Sequence, residues 1–409
     1  MLQRSFFPLL VAIALTASPA WSVEHLSIQE AVSQALSRNP EIRAAEREID
    51  AARARETQAG VLPNPNLSLA VDEVPINSQV NGNYMAGISQ PLLLGGQREA
   101  RQALAQLERE LAELELQTLR RDLSARVKDA YIRLLFDVAG VNLAKSGEEA
   151  AETQLDASQK RYKAGEVARI EVLRAEVERN RARREVAAAT NRMYQGRSRL
   201  NVLLGREAPT PVAVQELAAP QAKTLPALPT LVTRALETRI ELRQAELAIE
   251  RETMQRRVAQ ASLWTGTEAS VLAGAVDGGP GISASVTLPI PVYRQQGEIA
   301  EAEANRARAE ARRDALRLTI TSEVDEAYRE AQSAAEQAGL YTKSYVPLAE
   351  RLVENAQKRF AEGAGSGLEV IEARRALRET RTEYQQALLE YREALARLER
   401  AVGVELIGS

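Results

Sequence analysis

Cysteine is absent from the 409 residues, and histidine occurs once, at His25. Without cysteine there is no disulfide framework, no thiolate metal centre, no thiol nucleophile and no lipid-modified cysteine. A single histidine near one end leaves no basis for a His-based metal site or a Ser–His–Asp triad. Aromatic residues are only 4% of the chain, whereas a thick globular core uses more Phe and Trp. Neither charge dominates: 53 Lys+Arg stand against 56 Asp+Glu, for a formal net charge of −3. That balance argues against a dedicated nucleic-acid binder. The sequence also lacks a P-loop Gly-Lys-Ser/Thr, a His-Glu-x-x-His and any nucleophile motif, so neither enzyme activity nor a cofactor is expected.

Long apolar runs are missing too. Phe6–Leu15 is a short one, preceded by Arg4 and followed by Pro19 and Ala20-Trp21-Ser22. A membrane-spanning helix needs about 20 apolar residues. The pattern is that of a secretory signal peptide, residues 1–22, cut after Ser22. His25 then lies just behind the cleavage point, as an exposed terminal residue rather than a metal ligand. No metal site is expected.

What the chain does have is Ala, Leu, Glu, Arg and Gln, the material of long, closely packed helices. It also repeats itself. Asn39–Glu46 resembles Arg239–Glu246, Ala130-Tyr131 resembles Ala327-Tyr328, and Gln159–Gly165 resembles Gln357–Gly363. The three pairs keep their order at almost one displacement, which makes two copies of one unit. The expected division is 23–205 and 229–402, joined by a proline-rich linker at 206–228 and followed by a tail at 403–409.

Each unit reads helix, strand, strand, long helix, helix. Ser27–Gln58 is helical, with Pro40 expected to kink it or split off a short first helix. Asn66–Val74 and Tyr84–Gln90 alternate as strands. A helix then runs from Arg98 to Tyr162, with Leu104, Leu107, Leu111 and Leu114 at coiled-coil spacing. Another covers Ile170–Leu204. The second unit gives a helix over Pro229–Ser262 and strands over Thr267–Val276 and Ile282–Leu288. Asp277–Gly281 is the tight turn between those strands. A long helix over Gly297–Phe360 follows, with a kink or bulge at Pro347, and the last helix is Leu368–Val402.

The long helices would reach roughly 95–100 Å, and two shorter ones stacked end to end match one of them. The apolar stripes are narrow and rich in Ala, so they need neighbours, including other copies of the chain. The strands are near the 9–11 residues that cross an outer membrane. Ile282, Ala284, Val286 and Leu288 alternate with Ser283, Ser285 and Thr287, as the wall of a water-filled barrel requires. Four strands close no barrel, but four from each of three chains make twelve. Tyr84 and Trp264 stand at strand ends, where an aromatic belt would lie.

Several blocks resemble TolC-like outer-membrane efflux channels, and among them the CzcC-like branch of heavy-metal efflux. They are Asn39-Pro40-Glu41, Ala59–Ser68 with its Pro63-Asn64-Pro65, and Ser89–Arg98 with Gln90-Pro91-Leu92 and Gly95-Gly96. The turns Arg161-Tyr162…Gly165 with Glu171-Val172-Leu173, and Arg359-Phe360…Gly363 with Glu369-Val370-Ile371, look like the family's periplasmic tips. The resemblance covers essentially the whole mature chain.

It implies a mainly α fold with membrane β: a trimeric α-helical barrel continued by a 12-stranded outer-membrane β-barrel, four strands per chain. It implies a passive conduit for divalent heavy-metal cations such as cobalt, zinc or cadmium. Its partners would be outer-membrane lipid, a periplasmic adaptor and an inner-membrane resistance-nodulation-division pump, with most of the chain in the periplasm. Tyr162, Gly165, Phe360, Gly363, Gly365 and Gly367 would form the tip and adaptor-docking turns. Glu171, Glu369 and Glu372 would be acidic residues at the tunnel mouth, tripled by symmetry into rings. Phe360 stands where the best-known relative of that family has a gate tyrosine, so that hydrogen bond cannot form here. Two alternatives remain: a channel of the same fold for multidrug efflux or type I secretion, and a soluble periplasmic coiled-coil scaffold.

Overall fold

The computed structural model describes residues 24–72, 83–215, 225–276, 279–290 and 296–404. Residues 1–23, 73–82, 216–224, 277–278, 291–295 and 405–409 lie outside them, and with them the leader, most of the first hairpin turn and part of the linker; Gly279–Gly281, expected in the second turn, belong to a strand instead.

The chain opens with a short strand, β1 (Glu24–Leu26), and a helix, α1 (Ile28–Arg38), whose first turn is closed by a Ser27/Glu30 capping box. Pro40 does split the helix expected over Ser27–Gln58. Asn39 leaves helical geometry, and its side chain accepts from the Glu41 N–H at 2.8 Å. Pro40 then sits in the first turn of α2 (Pro40–Ala59), where its missing N–H costs nothing. Strands β2 (Asn66–Asp72) and β3 (Asn83–Pro91) follow. Next comes α3 (Gln97–Lys163), 67 residues without a break and so about 100 Å long, and then α4 (Arg169–Leu203).

The linker holds a strand that its prolines concealed. β4 (Val212–Val214) pairs in parallel with β1, Leu26 facing Val214. Tyr131 of α3 clamps this pair. Its buried hydroxyl donates to the Leu26 carbonyl at 2.8 Å and accepts from the Gln215 N–H at 2.8 Å. His25 is exposed on β1, opposite Ala213.

The second unit repeats the plan, the divided first helix included, and departs from it in the long helix. Its first helix is divided into α5 (Leu228–Thr238) and α6 (Ile240–Ala261), although no proline marks the break. Strands β5 (Glu268–Val276) and β6 (Gly279–Thr287) come next. The long helix then begins as α7 (Gln296–Leu340), passes through a π-helical segment at Tyr341–Tyr345, and continues as α8 (Val346–Ala361). The wider turn precedes Pro347, whose ring would otherwise meet the carbonyl one turn back. The last helix is α9 (Gly367–Val402).

The helix junctions of the two units are built alike. The Asn39 amide donates to the Leu203 carbonyl at 3.0 Å, and the Thr238 hydroxyl donates to the Val402 carbonyl at 2.9 Å. Each contact joins the break in the first helix to the end of the last one. Gly205 and Gly403, both at positive φ, follow those ends. A Cβ on Gly205 would lie 2.9 Å from the Arg38 carbonyl oxygen, so no larger residue fits there. Two matching apolar clusters surround the junctions. Ala35, Ile42, Leu123, Val127 and Leu200 form one; Ala235, Leu242, Ile320, Val324 and Leu398 form the other.

Away from the junctions the packing is thin. On α4 the buried positions Ala175, Ala182, Ala189 and Gly196 recur every seven residues, the period of a coiled-coil seam. Leu104, Leu107, Leu111 and Leu114 are only half-buried in the single chain.

Charge pairs tie the first unit to the second. Glu241 of α6 receives both Nη atoms of Arg121 of α3, at 3.0 and 2.8 Å, and Arg239 at 3.0 Å. Burial works against its charge. The Arg121 bonds, a backbone N–H and the nearby Arg239 outweigh it and hold the carboxyl at about 2. A carboxyl whose native pKa is depressed stabilises the fold fully above its unfolded pKa, and that contribution disappears as pH falls from about 4.5 to about 2. Glu241→Gln should therefore lower stability by about 2–3 kcal/mol at neutral pH and by little near pH 2. Thermal unfolding of both proteins across that range checks this.

Candidate functional site

Two regions stand out, the four-stranded sheet at one end and the two interhelical turns at the other.

The sheet runs β2-β3-β5-β6, antiparallel throughout. Its register places Leu67, Leu69 and Val71 beside Ile88, Ala86 and Tyr84. These pair onward with Val271, Ala273 and Ala275, and those with Ala284, Ile282 and Pro280. Residues directly opposite share a face, so one side of the sheet is apolar across all four strands. It is also exposed: Leu67 is 75%, Leu69 74% and Ile282 82% accessible. The other side carries Ser68, Ser89, Ser270, Ser283 and Ser285, with Ser270 and Ser285 hydroxyls 2.8 Å apart. Ala70, Met85, Leu272 and Val276 are exceptions on that side. A Cβ on Gly87 or Gly274 would strike the neighbouring strand's backbone. Both glycines lie on the polar side, where they let the sheet curl.

The sheet joins the helices through Gly95 and Gly96, both at positive φ. Trp264 lies against Gly95, in the 3₁₀ turn before β5. Gln97 is buried and donates to the Ala261 carbonyl at 3.0 Å.

At the opposite end, α3 and α8 stop in the same way. The Gly165 N–H returns to Tyr162 and Glu166 N–H to Arg161, while Gly363 returns to Phe360 and Ala364 to Arg359. This is the Schellman closure, and it requires the left-handed backbone that Gly165 (φ 76°) and Gly363 (φ 75°) adopt. A Cβ on either would meet open space, so the turns are bare on their outer side. Gly365 and Gly367 are different. A Cβ on Gly365 would sit 3.1 Å from Arg359 Cβ, and one on Gly367 would sit 3.0 Å from the Glu171 carboxylate. Those two glycines allow close approach, whereas the first two allow reversal.

The three carboxylates expected at the mouth have separate fates. Glu171 turns toward Gly367 and pairs with Arg174 at 3.5 Å. Glu369 pairs with Arg359 at 3.6 Å, and its backbone N–H is capped by Ser366. Glu372 is exposed and makes no ion pair among the described residues. Tyr162 is exposed at the end of α3. Phe360 has no hydroxyl, but its ring lies under the Arg161 guanidinium, 4.4 Å from the centroid. That cation–π contact joins the two turns within one chain.

Nothing in the residue pattern marked Glu178. Its side chain, only 12% exposed, accepts from Arg375 and Arg378 of α9, both at 3.0 Å. Burial raises its pKa, and the two guanidiniums more than reverse this, leaving it below the ordinary glutamate value. The contact holds the α3–α4 hairpin to the α8–α9 hairpin. Among the described residues, no group of three or more His, Asp or Glu is arranged to hold a metal ion, and no helix is long and apolar enough to cross a membrane.

Gly165→Ala or Gly363→Ala should each cost about 1–2 kcal/mol, because an L-residue is forced into left-handed geometry. Faster amide exchange at the affected turn, together with a lowered unfolding midpoint, is the expected signature.

Comparison with known proteins agrees with this geometry. The family model described as outer membrane efflux protein matches twice, over residues 31–206 and 231–404. The cobalt-zinc-cadmium resistance protein CzcC of Cupriavidus metallidurans is 27% identical over 98% of this chain and all of its own. Among solved structures, CusC superposes with a TM-score of 0.78 at 19% identity, covering 99% of both chains. The Campylobacter jejuni CmeC outer membrane channel gives 0.77 at 15%, covering 93% of this chain and 87% of its own. The fold is thus a helical tunnel with a β domain, located in the outer membrane with a large periplasmic helical part. The chain belongs to the outer membrane efflux protein family, whose members are channels and not enzymes.

Proposed function

We propose that this channel conducts divalent heavy-metal cations, such as cobalt, zinc or cadmium, out of the cell as the passive outer component of a tripartite system. A resistance-nodulation-division pump supplies the energy and a periplasmic adaptor joins the two. The sheet carries the proposal. One of its faces is apolar apart from Gln90 at one end, and its outer strands β2 and β6 each have one partner among the described residues. Lipid tolerates no open edge, so the edges must be closed by other copies. Three copies supply twelve strands around a polar lumen, and the half-buried leucines of α3 gain neighbours in the same assembly. The name of the Cupriavidus relative supports the choice of cargo.

The bare turns at Gly165 and Gly363, flanked by Tyr162 and Phe360 and continued by Gly365 and Gly367, are the surfaces offered to the adaptor. Glu372, exposed beside them and without an ion-pair partner among the described residues, is the carboxylate best placed to form a ring of three at the mouth. Such a ring favours cations over anions.

Three experiments test the proposal. Deleting the gene should lower tolerance to zinc, cobalt and cadmium several-fold; undiminished tolerance would overturn the cargo. The detergent-extracted protein should run as a heat-modifiable trimer, and a soluble monomer would overturn the channel assembly. In bilayers, Glu372→Gln should weaken cation selectivity and block by divalent ions. If both stay at the level of the unaltered protein, Glu372 forms no such ring.

A further inference from the structure

Between the α3–α4 and α8–α9 hairpins, behind the tip, lies a cavity of about 260 Å³. Its walls are unequal in charge. Arg374, Arg375, Arg378 and Arg381 line it, against the single carboxylate of Glu178. Arg375 and Arg378 are engaged by Glu178, and Arg381 by Glu350 at 2.9 Å. Arg374 is not so matched. It donates to the Ala150 carbonyl at 2.9 Å and has no carboxylate partner among the described residues. Its pKa is pushed down by burial, as a guanidinium without a counter-ion requires. Gln154 also lines the cavity. It is 7% exposed, and its Nε2 has no acceptor among the described residues.

A buried donor left unpaired costs about 1–3 kcal/mol, and a partly desolvated cation costs more unless it is paired. Both deficits lie on the walls of one cavity, and both are met by an acceptor carrying negative charge. Much of the remaining wall is apolar: Leu143, Val353, Ile371 and Leu377. A divalent cation would be repelled by the arginines, so the cavity is not part of the path proposed for the cargo.

The geometry points to a binding site for a small aromatic carboxylate, its carboxylate on Arg374 and Gln154 and its ring against the leucine, isoleucine and valine side chains. The ligand would touch helices of both hairpins and hold their spacing. The site stands whatever the channel conducts.

Titration of the detergent-extracted full chain with sodium benzoate tests it, read by calorimetry and by the unfolding midpoint. A saturable rise with a Kd of about 1 mM is expected for so small a ligand. Benzamide, which keeps the ring and loses the charge, and sulfate, which keeps charge and loses the ring, should leave the midpoint unchanged. Arg374→Gln should weaken binding at least about tenfold, the loss of one charge-assisted pair. Ala150→Leu fills the cavity while leaving every arginine in place, and should abolish binding if Arg374→Gln does not fold. The site is overturned if benzoate gives no saturable rise, if benzamide or sulfate binds as well, or if the folded variants bind benzoate like the unaltered chain.

Discussion

An alanine leaves almost nothing between two helix backbones, and this chain uses that at nearly every helix contact. Ala175, Ala182, Ala189 and Gly196 bring α4 onto α3, while Ala327, Ala331, Ala334 and Ala338 are the buried positions in the last third of α7. The contacts are close, narrow and weak for their length. Apolar burial is worth roughly 25 cal/mol per Å², and alanines bury little. Helices of this length therefore have to be held at intervals by something stronger. The structure does so at the two junction clusters, at the Arg121–Glu241 pair and at Glu178. Low aromatic content follows from the same constraint, because a wall one helix thick has no interior for large rings to fill.

The two ends meet opposite demands. At the sheet, every backbone group must be paired and one face must tolerate lipid. The strands answer with alternation that is regular over most of their length and with glycines where they crowd. At the turns, two helices must reverse within a few residues and leave their outer side bare. Schellman closures with glycine do this without a side chain in the way. Between the ends, ion pairs link helices of different units. Salt and pH therefore act on the helical part, while the sheet depends on its apolar face.

Much of this was legible as sequence. Strand alternation, the Gly165 and Gly363 turns and the Asn39-Pro40 break each rest on a local rule of backbone geometry. The less legible features depend on partners far along the chain. The break at Arg239 has no proline and no side-chain cap. It exists because Thr238 and Arg239 bind the carbonyls of Val402 and Ala401, more than 160 residues away. β4 lay hidden in a proline-rich linker because a three-residue strand has no period to detect, and β1 and Tyr131 hold it. Glu171 looked equivalent to Glu369 by position in the repeat. Its carboxylate instead turns toward Gly367 of the other hairpin.

By itself, then, the sequence determined the repeat, the helix and strand lengths, and the two-faced strands, since each follows from residues a few positions apart. The order of strands in the sheet was left to tertiary contacts, as was the break at Arg239. Tertiary contacts also decided which carboxylate is held between hairpins and which stays free. Glu178 and Glu372 are both glutamates near a turn, and no local rule separates them. Two arginines of α9 close on Glu178, and none among the described residues reaches Glu372. Only packing the second unit against the first distinguishes them, because the charge on a side chain belongs to the residue while its partners belong to the fold.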